Sequence, residues 1–218
     1  MRTQHKTVAV LGAGSWGTAL AIHLARAGLN VRLWGNHPEH VQVLQKERCN
    51  QKYLPEVAVP YNLELYSSLE DALSGGNLLV LIVIPSHAYR SFLGSSSSLF
   101  TEEMSIAWAS KGLEEGTGKL LHQVFSEEIP QCSRLAVISG PTFAKEVARD
   151  LPTAITVASD MKEVANEWRD CLHNGYFRAY TSNDVAGVEL GGALKNPLAI
   201  AAGIADAVSY THLRAHET

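Results

Sequence analysis

Apolar positions recur along this chain with two different periods. Thr7–Leu11 (TVAVL) is a short β-branched run that ends at the cluster Gly12-Ala13-Gly14-Ser15-Trp16-Gly17. From Trp16 to Ala27 the period changes to a helical one, with Leu20, Leu24 and Ala27 on one stripe and Gly28 as the stop. Asn30–Trp34 (NVRLW) alternates as a second strand, and Pro38 suits the first turn of a helix reaching about Arg48. Leu78–Ile84 (LLVLIVI) is apolar at every position, as a parallel strand covered on both faces must be. It stops at Pro85, and Ser86-His87-Ala88 opens another helix. Ser105–Ala109 and Arg134–Ile138 are further strands, and Ala154–Ala158 and Phe177–Tyr180 extend the sheet. The serine run Ser95–Ser98 reads as a surface loop.

Strands alternating with helices imply an α/β fold with a doubly wound, mostly parallel sheet. The order of the later strands is not legible. After Tyr180 the pattern changes. Asp184 is a plausible N-cap for a long helix from Val185 towards Val208, apolar nearly all round and so suited to the interior of a helical assembly. We therefore divide the chain into residues 1–182 as a dinucleotide-binding domain and 183–208 as the first helix of an incomplete all-α C-terminal domain. Residues 209–218 (SYTHLRAHET) are polar and lack that helix's pattern, and are read as a non-native tail.

Composition narrows the class. Among 218 residues 46% are hydrophobic and 18% charged, which supplies a core and excludes a disordered chain. Lys and Arg number 18 against 22 Asp and Glu, and the net charge of −4 argues against a nucleic-acid or anionic-membrane binder. Cys49, Cys132 and Cys171 lie far apart without CxxC spacing and read as free thiols of a reducing compartment. No apolar run approaches the ~18 residues of a membrane helix, and the polar start Met1–Lys6 does not resemble a signal peptide. The expectation is a cytoplasmic protein with no integral membrane segment.

The chemistry starts at Gly12-x-Gly14-x-x-Gly17, placed between the first strand and the first helix. In that context Gly12 makes the tight turn, Gly14 lets backbone approach a pyrophosphate, and Gly17 allows close packing, while the helix N-terminus offers free N–H groups to the phosphates. The motif makes this a Rossmann-type dinucleotide site. Cofactor choice is read at the end of the second strand, where an NAD-selective site carries an acid for the ribose hydroxyls. Here the residues are Trp34-Gly35-Asn36-His37, with no acid before Glu39. Asn36, His37 and Arg32 can meet a 2′-phosphate, so NADP is accepted as well as NAD. The alternative is an ordinary turn with Glu39 as the acid.

Three loops follow strands and fall at the carboxyl edge of the sheet: Pro85-Ser86-His87, Ser110-Lys111-Gly112 and Ser139-Gly140-Pro141-Thr142. Lys111 offers a positive charge to a phosphate or a developing alkoxide, and Thr142 a hydroxyl to a polar substrate. Lys195, inside the apolar helix, needs a reason. Desolvation would lower its pKa and suit it to proton transfer at a carbonyl or carbinol carbon, unless it snorkels to solvent. His87 and His173 read as structural, and His37 and His40 have no third ligand within reach, so no metal site is expected.

With these residues in place, the chain closely resembles bacterial NAD(P)-dependent glycerol-3-phosphate dehydrogenase. The resemblance rests on LGAGSWGTALA (11–21), QKYLP (51–55), VIPSHA (83–88), ASKGLE (109–114), SGPTFAKEVA (139–148) and GALKNPLAIAAGIADA (192–207), and covers about residues 7–208. It implies hydride transfer between NAD(P)H and dihydroxyacetone phosphate, giving sn-glycerol 3-phosphate for phospholipid synthesis, by a homo-oligomer. It further implies that Ser15 and Trp16 line the cofactor site beside the glycines, with Asn36, His37 and Tyr53 near the adenosine half. Lys111 would contact cofactor and substrate, Gly140 and Thr142 would hold substrate, Ala144 would lie against the cofactor, and Lys195 would exchange the proton. Family members continue past the end of this chain, with an aspartate near the catalytic lysine and a Ser-Arg-Asn segment for the substrate phosphate. Without them, weak dinucleotide binding, little turnover and aggregation are expected. Two rival readings stay open: another NADP-dependent reductase of a small hydroxy acid on the same architecture, and a non-catalytic nucleotide-binding fragment.

Overall fold

Burial on both faces dictates the architecture. In β1 (Thr7–Leu11) Val8 and Val10 point to one side of the sheet while Ala9 and Leu11 point to the other, and all four are 0% exposed. A strand with no polar face needs helices above and below it. A computed structural model, describing residues 6–76 and 78–215, supplies them.

In chain order, β1 leads to α1 (Ser15–Arg26), β2 (Asn30–Trp34) and α2 (Pro38–Glu47). A small antiparallel hairpin of β3 (Cys49–Asn50) and β4 (Leu54–Ala58) follows, then β5 (Leu63–Tyr66), α3 (Leu69–Ala72) and β6 (Leu79–Ile82). Next come α4 (Ser86–Ser96), a 3₁₀ turn at Ser97–Leu99, β7 (Ser105–Trp108), α5 (Leu121–Glu128) and β8 (Leu135–Ser139). The chain continues through α6 (Ala144–Ala148), β9 (Thr153–Ala158), α7 (Lys162–Leu172), β10 (Phe177–Ser182) and α8 (Val185–Ala215).

The main sheet has the order β10-β9-β8-β7-β6-β1-β2-β5. Every pairing in it is parallel except β8 with β9. Winding proceeds outward from β1 in one direction and resumes at β6 in the other, so the topological switch point lies between β1 and β6. Leu20 and Leu24 of α1, Val41 and Leu44 of α2, and Val164 and Trp168 of α7 cover one face. The other face packs against Tyr89 and Leu93 of α4 and Leu121, Val124 and Phe125 of α5. Each such fully buried large side chain contributes about 1.5–3 kcal/mol of transfer free energy.

The strands read from sequence fall within a few residues of those observed. The serine run is a correction: Ser95 and Ser96 finish α4, Ser97 opens the 3₁₀ turn, and Ser96 is buried with its hydroxyl donating to the Phe92 carbonyl at 2.6 Å. The hairpin β3–β4 and the edge strand β5 had no clear signal. Both are short, and β5 (LELY) is apolar at alternate positions over only four residues.

α8 starts as expected, with the Asp184 carboxylate accepting from the Gly187 N–H at 2.8 Å. Its backbone then continues past Val208 to Ala215, so residues 209–215 prolong the helix, and 216–218 lie outside the described residues. The sequence suits this helix to the interior of a helical assembly, and among the described residues its outer face is open. Leu198, Ile200 and Ile204 are 63%, 64% and 61% exposed. A row of that size is an adhesive surface. Concentration-dependent self-association is therefore expected by light scattering. Leu198→Glu with Ile204→Glu should reduce it, with little change in the unfolding midpoint.

Candidate active site

The turn between β1 and α1 has no room for side chains at two of its glycines. Gly12 has φ +128°, and a Cβ there would lie 2.2 Å from the Val83 carbonyl oxygen, at the end of β6. A Cβ at Gly17 would lie 1.9 Å from the Gly12 oxygen. At Gly14, by contrast, a Cβ would meet nothing within 4 Å, so the backbone there is open to the crevice. Gly14 is the N-cap of α1, with no side chain capping the helix and no acid in its first turn. Uncapped N–H groups, a positive dipole end and bare backbone fit a pyrophosphate. The tight turn at Gly12 and the close packing at Gly17 are those expected from the sequence.

Along the carboxyl edge of the sheet three adjoining hollows hold the expected residues. The largest, about 700 Å³, is lined by Gly12, Gly14, Asn36, His37, His40, Tyr53 and residues 83–85 of the β6 end, among others. A second of about 380 Å³ shares Gly14 and 83–85 with it and adds Ser15, Trp16, Gly17, Lys111, Thr142 and Ala144. The third, about 440 Å³, has Gly140, Gly191, Gly192 and Lys195 on its walls. Apart from Arg32, every site residue singled out in the sequence lines one of the three.

Two cations join the second hollow to the third. The Lys111 ammonium donates to the Gly140 carbonyl at 3.5 Å and lies 5.5 Å from the centre of the Trp16 ring. The Lys195 ammonium donates to the Thr142 carbonyl at 3.4 Å and lies 4.7 Å from the centre of the Phe143 ring. Burial pushes the Lys111 pKa below its ordinary 10.5, and the positive charge of Lys195 pushes the same way. The Thr142 hydroxyl is buried without a hydrogen-bond partner among the described residues, and so is the Trp16 indole N–H. Two like charges beside orphaned polar groups form a site shaped for an anion with further oxygens.

Lys195 is half-buried on α8, and burial depresses the pKa of Lys111. Two other residues stand elsewhere than expected. Arg32 does not reach the nucleotide crevice: its guanidinium is held by the carbonyls of Ala72 and Ser74, at 3.3 and 2.6 Å, beside Glu64. His87, read as structural, lines the 700 Å³ hollow.

Sequence reasoning missed Glu189. This carboxylate is only 7% exposed and accepts from the Trp108 indole N–H at 2.7 Å and the His122 backbone N–H at 3.1 Å, while its other oxygen meets His122 Nδ1 at 2.5 Å. It ties α8 to the end of β7 and the start of α5, and so fixes where Lys195 stands. The argument applied to Lys195, a charge in an apolar helix, points equally to Glu189.

Fold and site together define the Rossmann-type class of dinucleotide-binding domains. A family model for the NAD-dependent glycerol-3-phosphate dehydrogenase N-terminus matches residues 7–165, and one for the C-terminus of the same enzymes matches 184–215. The chain belongs to the NAD-dependent glycerol-3-phosphate dehydrogenase family. It is 51% identical over 203 residues to glycerol-3-phosphate dehydrogenase [NAD(P)+] of Thioalkalivibrio sulfidiphilus, covering 93% of this chain and 61% of that protein. It is 48% identical over 211 residues to the protein of that name from Pseudoalteromonas translucida, covering 96% and 63%. The crystal structure of glycerol-3-phosphate dehydrogenase from Coxiella burnetii superposes with a TM-score of 0.87 at 44% identity, over 94% of this chain and 62% of that one. This chain thus spans a little over three fifths of the length of these relatives.

Two outcomes test the site. An anion held by protonated Lys111 should lose affinity as pH rises through the lysine's lowered pKa, below the 10.5 of a free side chain. Lys195→Ala should move that loss to higher pH, measured by calorimetric titration of inorganic phosphate. Without ligand the sign reverses: the cost of burying the charge fades between the lowered pKa and 10.5, so stability rises there. Separately, Glu189→Ala should cost about 2–3 kcal/mol in urea unfolding, because it strands the buried Trp108 donor.

Proposed function

We propose that this chain carries the nucleotide site and the catalytic lysine of an NAD(P)-dependent glycerol-3-phosphate dehydrogenase. The reaction interconverts dihydroxyacetone phosphate and sn-glycerol 3-phosphate and serves glycerophospholipid synthesis in the cytoplasm. One observation carries the reading: Lys111 and Lys195 converge on the loop carrying Gly140 and Thr142, next to the open glycine turn.

Gly12 and Gly17 let the turn close, and Gly14 leaves room for the pyrophosphate, which the N–H groups of Ser15 and Trp16 would meet at the start of α1. Asn36, His37 and Tyr53 face the adenosine half, and the absence of an acid at the end of β2 admits the 2′-phosphate of NADP as well as NAD. Trp16 and Ala144 flank the nicotinamide end. When bound, the reduced nicotinamide supplies the hydride that adds to the substrate carbonyl carbon. Lys111 neutralises substrate and cofactor phosphate charge, the backbone of Gly140 and the Thr142 hydroxyl orient the substrate, and Lys195 gives its proton to the carbonyl oxygen. In the reverse direction Lys195 takes that proton from the alcohol.

The open face of α8 supports a second reading, in which the chain binds dinucleotide and turns over little. The assay that separates the two is dihydroxyacetone-phosphate-dependent loss of NADPH absorbance, with Lys195→Ala as control. Measurable NADPH binding is expected, with turnover about 10²-fold or more below that of longer relatives and abolished by the substitution. Turnover that survives Lys195→Ala would overturn the catalytic role, and absence of NADPH binding would overturn the cofactor reading.

A further inference from the structure

Asn50 is polar, 1% exposed, and lies outside every motif that points to chemistry. Its side chain is nevertheless fully engaged. Nδ2 donates to the Ala13 carbonyl at 3.1 Å and to Thr18 Oγ1 at 2.7 Å. Oδ1 accepts from the Tyr53 N–H at 3.3 Å and meets His40 Nε2 at 3.0 Å. The orientation of the amide is not free. A carbonyl can only accept and a backbone N–H can only donate, so Ala13 and Tyr53 fix which end is which. His40 must then donate from Nε2. Its ring in turn stands edge-on to Tyr53, with centroids 5.2 Å apart and planes at 88°.

This one amide therefore ties together three segments that share the wall of the 700 Å³ hollow: the glycine turn through Ala13, α2 through His40, and the hairpin through Tyr53. We propose that Asn50 is a positioning residue for the dinucleotide. It sets the distance between the pyrophosphate-facing turn and the Tyr53–His40 pair that faces the adenosine half, without touching the ligand itself. The inference rests on the cofactor reading above. It goes beyond that reading in placing the control of nucleotide affinity at a buried amide behind the site.

The discriminating variant is Asn50→Asp, which keeps shape but turns the donor end into an acceptor facing the Ala13 carbonyl. His40→Phe is the milder companion: it keeps a ring beside Tyr53 and removes only the donor to Oδ1, at a half-buried position that folding tolerates. NADPH affinity of the folded protein is read by fluorescence titration, 2′,5′-ADP by competition, and the unfolding midpoint by circular dichroism. Expected are an affinity loss of about tenfold or more for Asn50→Asp and of several-fold for His40→Phe, for NADPH and 2′,5′-ADP alike. If Asn50→Asp does not fold, His40→Phe decides. A lowered midpoint with unchanged affinity of the folded protein would make the amide merely structural and overturn the proposal. Wild-type protein that does not bind NADPH would instead overturn the cofactor reading beneath it.

Discussion

The site depends on how closely β1 approaches β6. The Val83 N–H donates to the Leu11 carbonyl at 2.8 Å, which brings the Val83 carbonyl against Gly12 and leaves no space for a side chain there. The chain leaving β1 must therefore turn at once, with positive φ, and enter α1 with its N-terminus aimed over the carboxyl edge of the sheet. Because the winding of the sheet reverses at this same boundary, α1 and α4 depart to opposite faces. A crevice remains between them. Any side chain at Gly12 would push against the Val83 backbone and displace the turn and the helix dipole together, so fold and binding geometry are set by one contact.

The outer parts of the site are built differently, from loops held by polar contacts. Asn50 fastens the hairpin to the glycine turn, and Glu189 fastens α8 to β7 and α5. Both are buried groups with more than two partners, an arrangement that ties geometry to a few atoms and makes each of them expensive to lose. Between these two anchors lie Lys111 and Lys195, whose mutual repulsion is unrelieved by any nearby carboxylate among the contacts described. A ligand carrying phosphate and a carbonyl oxygen would relieve it. Binding and the protonation state of Lys111 are thereby linked.

Much of this was legible in the sequence where local rules act alone. TVAVL, NVRLW and LLVLIVI became strands because β-branched, two-faced apolar runs have no other way to be buried, and the glycine motif carried its own geometry. Lys111, Thr142 and Lys195 were found because each follows a strand or interrupts an apolar helix. What stayed hidden depends on contacts distant in sequence. Asn50 takes its meaning from Ala13 and Thr18, and Arg32 was drawn away from the nucleotide by carbonyls about forty positions on. The desolvation of Lys111 was hidden too, because burial follows tertiary packing and not the hydrophobicity of the surrounding segment.

The central claim is that a dinucleotide lies across the switch point with its pyrophosphate on the start of α1. Amide chemical-shift mapping of the ¹⁵N-labelled chain during titration with NADPH tests this most directly. The account predicts the largest perturbations at Gly14, Ser15 and Trp16, with a second group at Asn36, His37 and Tyr53. Perturbations confined to the hollow around His23, Asp150 and Tyr176 at the C-terminal end of α1, or none at saturating NADPH, would contradict it.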